Sequence, residues 1–436
     1  MAHTSRLERI VVFVEHFPPY LGSDRTIYEL CTRVARRDVR VHFIASQPLR
    51  YLLRKRPRRW RYKLNWVHPP TPPHHNITVT YLFADSFLKW LWGRFVPLAY
   101  VLTVARFLVA SIYELVRFGP DLVISAHASP IVGALSFVSS RLLRKRLLVG
   151  CPDWMSEYAA ELDAEKRHSL AMKLFRIGEK RLYRSCDAVF TVTNYLGRML
   201  VRSGVSPERV YVIPNGVDPD MFSPAVDCSD IRHKYRLDNT HVVLFSGHIE
   251  EWAGIGVLHD LVKGLERVPG RWVLLLVGTG SGVAPLLEKV HDDGLSHLLV
   301  AAGLQPFELM PKFNAVADIS LCIFPDTLAG NAASPLKLFE YMASGCAVVA
   351  TRVAGVAEVI DSETGCLVDP NDVEGLVENV IRLCSNTEER QRLARNARSL
   401  IESRYSWGHL ADEFLSVCHR VFEDPHPAAQ DRAIVA

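Results

Sequence analysis

No two of the nine cysteines in this 436-residue chain form a C-x-x-C pair, and their spacing follows no pattern. That argues against a zinc ribbon or a disulfide framework and suits thiols kept reduced in the cytosol. A long apolar run is also missing. The most apolar region, residues 86–116, is interrupted by Lys89, Arg94, Arg106 and Glu114. Its longest uncharged piece, FVPLAYVLTVA, falls short of the roughly 20 residues that span a bilayer. Near the start, IVVFV runs straight into Glu15 and His16, too short for a signal peptide and readable as a first buried strand. There is no G-x-S-x-G elbow, which removes the easiest hydrolase reading. The glycines of LLLVGTGSGV do not complete G-x-G-x-x-G, because Val283 holds the last required position. The next strand, HLLVAAG, ends without the acid that a dinucleotide ribose wants, so a nicotinamide enzyme is disfavoured. Metal ligands are sparse as well. Asp218 and Asp220 sit in a proline-rich turn without a nearby His or third carboxylate, and His74 and His75 lack the second ligand pair that zinc needs. No metal is expected.

What remains is an ordinary globular composition, 49% hydrophobic and 22% charged, with a formal charge of +4. At this length two domains are expected. Strand-like runs that are apolar at nearly every position alternate with helical stretches throughout. RIVVFV, VRVHFIAS, ITVTYLF, DLVISA, RLLVG and DAVFTVT come first; HVVLFSG, WVLLLVG, HLLVAAG, DISLCIF and CAVVAT follow. Such runs indicate parallel sheets covered on both faces, hence two doubly wound α/β domains with ligands at the carboxyl ends of the strands. The join falls at the cluster of Pro214, Asn215, Gly216, Pro219 and Pro224. The expected division is 1–213, then 214–405, a last helix over 406–422 returning toward the first domain, and a frayed tail over 423–436.

One stretch, SPLKLFEYMASGCAVVAT from Ser334 to Thr351, places a cation where helix chemistry disfavours it. Ser334 suits an N-cap and Pro335 the first helical position. Lys337 then takes the third position, facing the positive end of the helix dipole. Leu336, Phe339 and Ala343 form the expected buried stripe, with Lys337, Glu340, Tyr341 and Ser344 on the neighbouring face. A lysine converging with free helical N–H groups is built to hold an anion, while a surface lysine paired with Glu340 explains the same residues. Gly345 should end the helix. Elsewhere, Gly22 precedes a helix after the first strand, and Gly278 and Gly280 follow a strand in the second half. Each permits a phosphate to approach the backbone, or simply connects strand to helix. In PDWMSEY, Asp153 and Glu157 follow a strand and are candidates for a substrate hydroxyl, or for helix capping.

Taken in order, these segments resemble the family-4 retaining glycosyltransferases. The first strand with its glycine loop, the stretch CDAVFTVTNYLGRMLVRSGVSPERVYVIPNGVDPDMF, then LLLVGTG and SPLKLFEYMASGCAVVAT carry the likeness. A branch of that family acting in bacterial surface-polysaccharide assembly shares the SPLKLFEYMA form. The resemblance implies two facing Rossmann-like doubly wound domains, the GT-B architecture, with the donor held mainly by the second. It implies that Lys337 and the helix start, with Ser334, Pro335 and Leu336, hold the diphosphate of a nucleotide sugar, and that Glu340 binds the ribose. It extends the donor site to Gly22, Gly247, His248, Gly278 and Gly280, and makes Lys337, Glu340 and Asp153 the catalytic set. The acceptor would be a glycan or a lipid-linked sugar. This sequence departs from the family at Ala332, where a first glutamate is usual, at His248 and Ala253, where cations are usual, and at Pro152, which replaces a histidine. A silent sugar-nucleotide-binding subunit and a nucleotide-sugar epimerase are the competing readings.

Residues 50–63, RYLLRKRPRRWRYK, gather Arg54, Lys55, Arg56, Arg58 and Arg59 with further cations and no acid, ahead of the aromatic stretch that begins at Ser86. Basic residues beside an amphipathic, aromatic segment suit an anionic membrane surface, and no nucleic-acid-binding motif accompanies them. The expectation is a cytoplasmic protein, peripheral on the inner face of the cell membrane.

Overall fold

The computed structural model describes residues 6–15, 17, 22–46, 74–82, 94–162, 168–249 and 255–424. The basic segment 50–63, residues 86–93, Ala253 and the tail from residue 425 lie outside them. The chain divides into two compact units, the first comprising Met1–Val192, Leu196–Ile213 and Ala411–Ala436, the second Thr193–Tyr195 and Pro214–Leu410. The last helix, Trp407–Glu423, therefore begins in the second unit and continues in the first.

The first unit is a parallel sheet of seven strands in the order β3-β2-β1-β4-β5-β6-β7. The strands are β1 (Arg9–Val14), β2 (Arg40–Ser46), β3 (Ile77–Leu82), β4 (Leu122–Ser125), β5 (Arg146–Cys151), β6 (Ala188–Thr191) and β7 (Val210–Val212). Helices α1 (Gly22–Ala35), α2 (Val96–Phe118), α3 (Val132–Leu142), α4 (Met155–Leu162), α5 (Leu170–Ser185) and α6 (Asn194–Arg202) connect them. Central β1 and β4 are buried on both faces, which is why RIVVFV and DLVISA carry no alternation. The outer strand β3 exposes Thr78 and is only partly covered between its ends. Gly119 closes α2 in the left-handed conformation, φ 60°, its N–H donating to the Leu115 carbonyl. No helix among the described residues is long and apolar enough to cross a membrane.

The second unit is a six-stranded parallel sheet in the order β10-β9-β8-β11-β12-β13. Its strands are β8 (His241–His248), β9 (Trp272–Thr279), β10 (Leu299–Gly303), β11 (Ile319–Cys322), β12 (Ala347–Thr351) and β13 (Cys366–Val368). Alternate residues of each central strand feed two cores. Val243, Leu274, Ile319 and Val349 go to one, and Val242, Leu275, Cys322 and Val348 to the other. Continuous apolar runs are the result. Two strands were not expected: β7 and β13 are three residues each, short enough that VYV and CLV carry no periodic signal. All nine cysteines are free thiols.

Candidate active site

In each unit the strand order reverses beside the first strand, between β1 and β4 and between β8 and β11. Such a switch point opens a crevice at the carboxyl ends of the strands. The second unit's crevice takes its form from the helix Leu336–Ala343, called α7 here. Pro335 is its N-cap, with φ −72° and ψ 122° and no side-chain cap bond. This corrects the expected capping by Ser334 and moves Lys337 from the third helical position to the second. Proline's extended ψ holds it outside the first turn, and the Ser334 carbonyl is occupied instead, accepting from Asn215 Nδ2 at 2.6 Å. The PNG turn is thereby tied to the start of α7.

The expected buried stripe also needs correction. Tyr341 is fully buried and Ser344 nearly so, whereas Leu336 is partly exposed. Tyr341 turns inward because Ser246, at the end of β8, partners it. The Ser246 N–H donates to the Tyr341 hydroxyl at 3.0 Å, and the two hydroxyls meet at 2.7 Å. From the same helix, Lys337 Nζ donates to the Ser246 carbonyl at 3.1 Å. So α7 grips both sides of one residue of β8. The ammonium lies 4.7 Å above the Phe245 ring and 5.3 Å from that of Phe324. Burial lowers its pKa, opposed by the nearby Cys322 and Glu340. Glu340 is half-buried one turn further on, and Ala332 is buried. Gly345 takes φ 75° and ends the helix as expected.

Beside Lys337, Gly247 adopts φ 121°, and a Cβ there would lie 3.5 Å from the ammonium. A Cβ at Gly278 would strike the Gly247 carbonyl oxygen at 1.8 Å, and one at Gly280 the Ile249 carbonyl oxygen at 1.9 Å. Gly247 and Gly278 face each other where β8 and β9 pair, and Gly280 follows β9 against Ile249, so these glycines are required by the close approach of the two strand ends, a reason the sequence did not supply. His248 stands exposed at the end of β8. Asp218 Oδ1 accepts from the N–H groups of Asp220 and Met221 at 3.1 and 3.2 Å, so that pair shapes a turn.

The first unit's crevice gathers titratable groups from three strand ends. His127, after β4, is buried, with Nε2 3.4 Å from Asp24 Oδ1 and 4.0 Å from Glu15 Oε2. Asp153, after β5, has its pKa pushed up to about 7 by burial, with His127 opposing the shift. Asp153 does not cap α4: Glu179 of α5 accepts from the Met155 and Ser156 N–H groups at 2.9 and 3.1 Å. Glu157 is engaged by Arg176 at 2.8 Å, which leaves Asp153 as the acid of this segment that faces the crevice chemistry. Gly22 is the first residue of α1. His127, Glu15 and Asp24 were missed in the sequence, although a histidine directly after the strand DLVISA is the signal that would have found it. An imidazole flanked by carboxylates, near an acid titrating at neutrality, is equipped to bind and orient a hydroxyl. Among the described residues no three His, Cys, Asp or Glu side chains cluster as metal ligands.

Comparison with known proteins covers both units. The family model described as Glycosyltransferase Family 4 matches residues 21–221, and that described as Glycosyl transferases group 1 matches residues 240–386. D-inositol 3-phosphate glycosyltransferase of Xylanimonas cellulosilytica is 29% identical over 254 residues, 55% of this chain and 58% of the relative. Lipopolysaccharide 1,2-N-acetylglucosaminetransferase of Salmonella typhimurium is 26% identical over 52% of this chain and 61% of its own. The chain thus spans little more than half the length of the curated relatives it matches. Among solved structures, Anabaena HepE in complex with UDP and glucose aligns with a TM-score of 0.67 at 18% identity, covering 94% of this chain and 99% of that one. Sucrose-phosphate synthase from Thermosynechococcus elongatus gives 0.70 at 18% identity, over 95% and 99%. The architecture is the GT-B type.

Proposed function

We propose, for a chain that belongs to the family-4 glycosyltransferases, transfer of a hexosyl group from a nucleotide diphosphate sugar to a glycan or lipid-linked acceptor, with retention at the anomeric carbon. The observation that carries this reading is the lysine fixed at the N-terminus of α7, over Phe245 and Phe324 and beside Gly247, at the switch point of the second sheet. A buried ammonium and a helix start act together on a diphosphate. As the bond to the sugar breaks, negative charge grows on the leaving diphosphate, and a cation already in place stabilises it without reorganisation. Glu340, one turn on, is assigned to the ribose hydroxyls. Asp153 is assigned to a substrate hydroxyl, and its raised pKa allows it to donate or accept at neutral pH. No divalent ion has a part in this scheme.

The same reading places the protein in the cytoplasm, peripheral on the inner face of the cell membrane, in polysaccharide or glycoconjugate synthesis. The relatives named for inositol phosphate and lipopolysaccharide acceptors support the role in glycoconjugate synthesis. A second reading keeps one observation of its own: Ala332, buried, supplies no carboxylate where the family usually has one, as in a silent sugar-nucleotide-binding subunit. Purified protein incubated with nucleotide sugars separates the two. Donor turnover supports the transferase, while tight nucleotide binding with no turnover toward any glycan or lipid-linked acceptor supports the silent subunit. A thermal-shift screen selects the donor first, since a ligand that binds only the folded state raises its apparent stability.

A further inference from the structure

Among the described residues, the outer face of α2, α3 and α5 carries large apolar side chains that stand exposed. α2 packs on α3 and α3 on α5, so the three form one layer over the first sheet. The exposed stripe of α2 runs its full length as Leu98, Leu102, Val109, Tyr113 and Val116, with Val109 69% exposed. α3 adds Leu142, 63% exposed, and α5 adds Leu170, Leu174 and Ile177, of which Leu170 is 72% exposed. Each set repeats at helical spacing on the side away from the sheet, where a doubly wound domain ordinarily carries polar residues. An exposed apolar face of this kind marks an interaction surface.

Charge identifies the partner. Lys173, Lys180 and Arg181 stand exposed along α5, and Arg144, also exposed, follows α3. Among the described residues, Glu114 is paired with Arg117 at 2.7 Å, Glu157 with Arg176 at 2.8 Å and Asp187 with Arg141 at 3.3 Å, while Glu179 of α5 is buried and accepts from the Met155 and Ser156 N–H groups. The face is thus apolar and cationic. A second copy of it would bring like charges together, so self-association is disfavoured, while an anionic lipid surface satisfies both features.

We propose that the α2–α3–α5 layer is the membrane-docking face of this protein, its apolar tips entering the interface of an anionic bilayer between flanking cations. This rests on the peripheral location proposed above, but assigns it to helices apart from the basic segment 50–63. The three helices feed directly into β4, β5 and β6, so their first turns point toward the carboxyl edge of the sheet. Leu98, Leu170 and Leu174 lie at that end, on the same edge as His127 and Asp153. A lipid-linked acceptor held by the bilayer would meet the first unit there.

The test is sedimentation of the full chain with vesicles of phosphatidylcholine, alone or mixed with phosphatidylglycerol, at low and high salt. Wild-type protein should pellet with the anionic vesicles at low salt and be released as salt rises. Lys173→Gln with Lys180→Gln and Arg181→Gln should weaken partition by about a hundredfold, from roughly fivefold per cation removed. Leu174→Ser with Ile177→Ser should weaken binding without changing net charge. All of these positions are exposed, and thermal melts matching wild type show that the variants are folded. Failure of wild type to bind anionic vesicles at low salt overturns the proposal. So does unchanged binding by both sets of variants, and so does light scattering that shows a dimer lost in the Leu174→Ser, Ile177→Ser protein. If binding is lost only on replacing Arg54, Lys55, Arg56, Arg58 and Arg59, the peripheral location stands and this face does not. Calorimetry with UDP is run alongside: donor-site failure there counts against the transferase reading and leaves the vesicle result intact.

Discussion

Replacing Lys337 by methionine removes the charge and keeps most of the volume, which makes it a sharper perturbation than alanine. In the free protein the ammonium is desolvated between two aromatic rings and bonded to one carbonyl. Losing the cation–π contacts costs about 0.5–2 kcal/mol and losing a charged hydrogen bond about 1.5–3 kcal/mol. Relief of the desolvation penalty offsets these, because a well-packed apolar residue in place of a buried charge is often neutral. The melting temperature should therefore move little. Turnover should not be spared, since removing one preorganised electrostatic partner costs on the order of 10²–10³ in kcat. Lys337→Arg should recover only part of this, because a planar guanidinium does not fill the space of a compact ammonium. The pH dependence adds a second readout. With the lysine's folded pKa lowered, the unfolded chain holds more protons in that range, so this residue's contribution to stability rises as pH climbs through it. A bound diphosphate favours the protonated amine, so nucleotide affinity should fall over the same climb in wild type and stay flat in the methionine variant. Steady-state kinetics and calorimetry with UDP measure both. Near-normal kcat/KM in a folded Lys337→Met protein would refute the electrostatic role and leave the lysine as a clamp on Ser246.

Glu340→Ala should weaken UDP and donor binding alike by at least about tenfold, from the loss of one charge-assisted bond to the ribose. Unchanged affinity in calorimetry would remove Glu340 from the ribose site. Activity should survive chelator; loss on chelation with recovery on adding magnesium or manganese would show a metal in the reaction. Asp153→Asn should flatten the stability profile between about pH 4 and 7. The folded-state pKa of Asp153 is raised to about 7, so its favourable contribution is present in acid and lost as pH rises. The gap between variant and wild type at pH 8 should be on the order of 2 kcal/mol, discounted for partial exposure of the carboxyl. Coincident denaturation curves at pH 5 and pH 8 would mean that Asp153 titrates normally.

Central strands were legible because burial on both faces leaves nothing for the sequence to alternate. RIVVFV and WVLLLVG admit little else. β7 and β13 escaped because three residues at an edge carry neither length nor period. The start of α7 was read one position early for a different reason. Ser334 and Pro335 satisfy the local rules for a cap and a first turn, but Asn215, 119 residues away in sequence, takes the Ser334 carbonyl. Local rules do not contain that contact. Tyr341 is a similar case: its helical position puts it beside Lys337, and only the presence of Ser246 across the crevice explains why a phenol is buried there. In the first unit, Glu15, Asp24 and His127 come from three separate segments, and nothing in any one of them announces the other two.

Under the donor-binding role proposed for Lys337, a cation at the positive end of a helix has a purpose, because the helix start and the ammonium then act on one anion. An ammonium paired with a carboxylate would be neutralised and have little left for a ligand. Here the hydrogen-bond acceptor of Lys337 is a backbone carbonyl, which orients the amine without cancelling its charge. The rings of Phe245 and Phe324 act similarly, attracting the cation through their faces while excluding water. Burial that lowers the lysine's pKa is the cost of this arrangement, and it is also the reason an incoming diphosphate would bind strongly, since screening is weak where solvent is thin. The glycine loops belong to the same design. Gly278, near the end of β9, pairs closely with Gly247, so β8 can end beside the lysine. A side chain at Gly278 would push the paired ends of β8 and β9 apart and move Ser246, and with it the carbonyl that aims the amine.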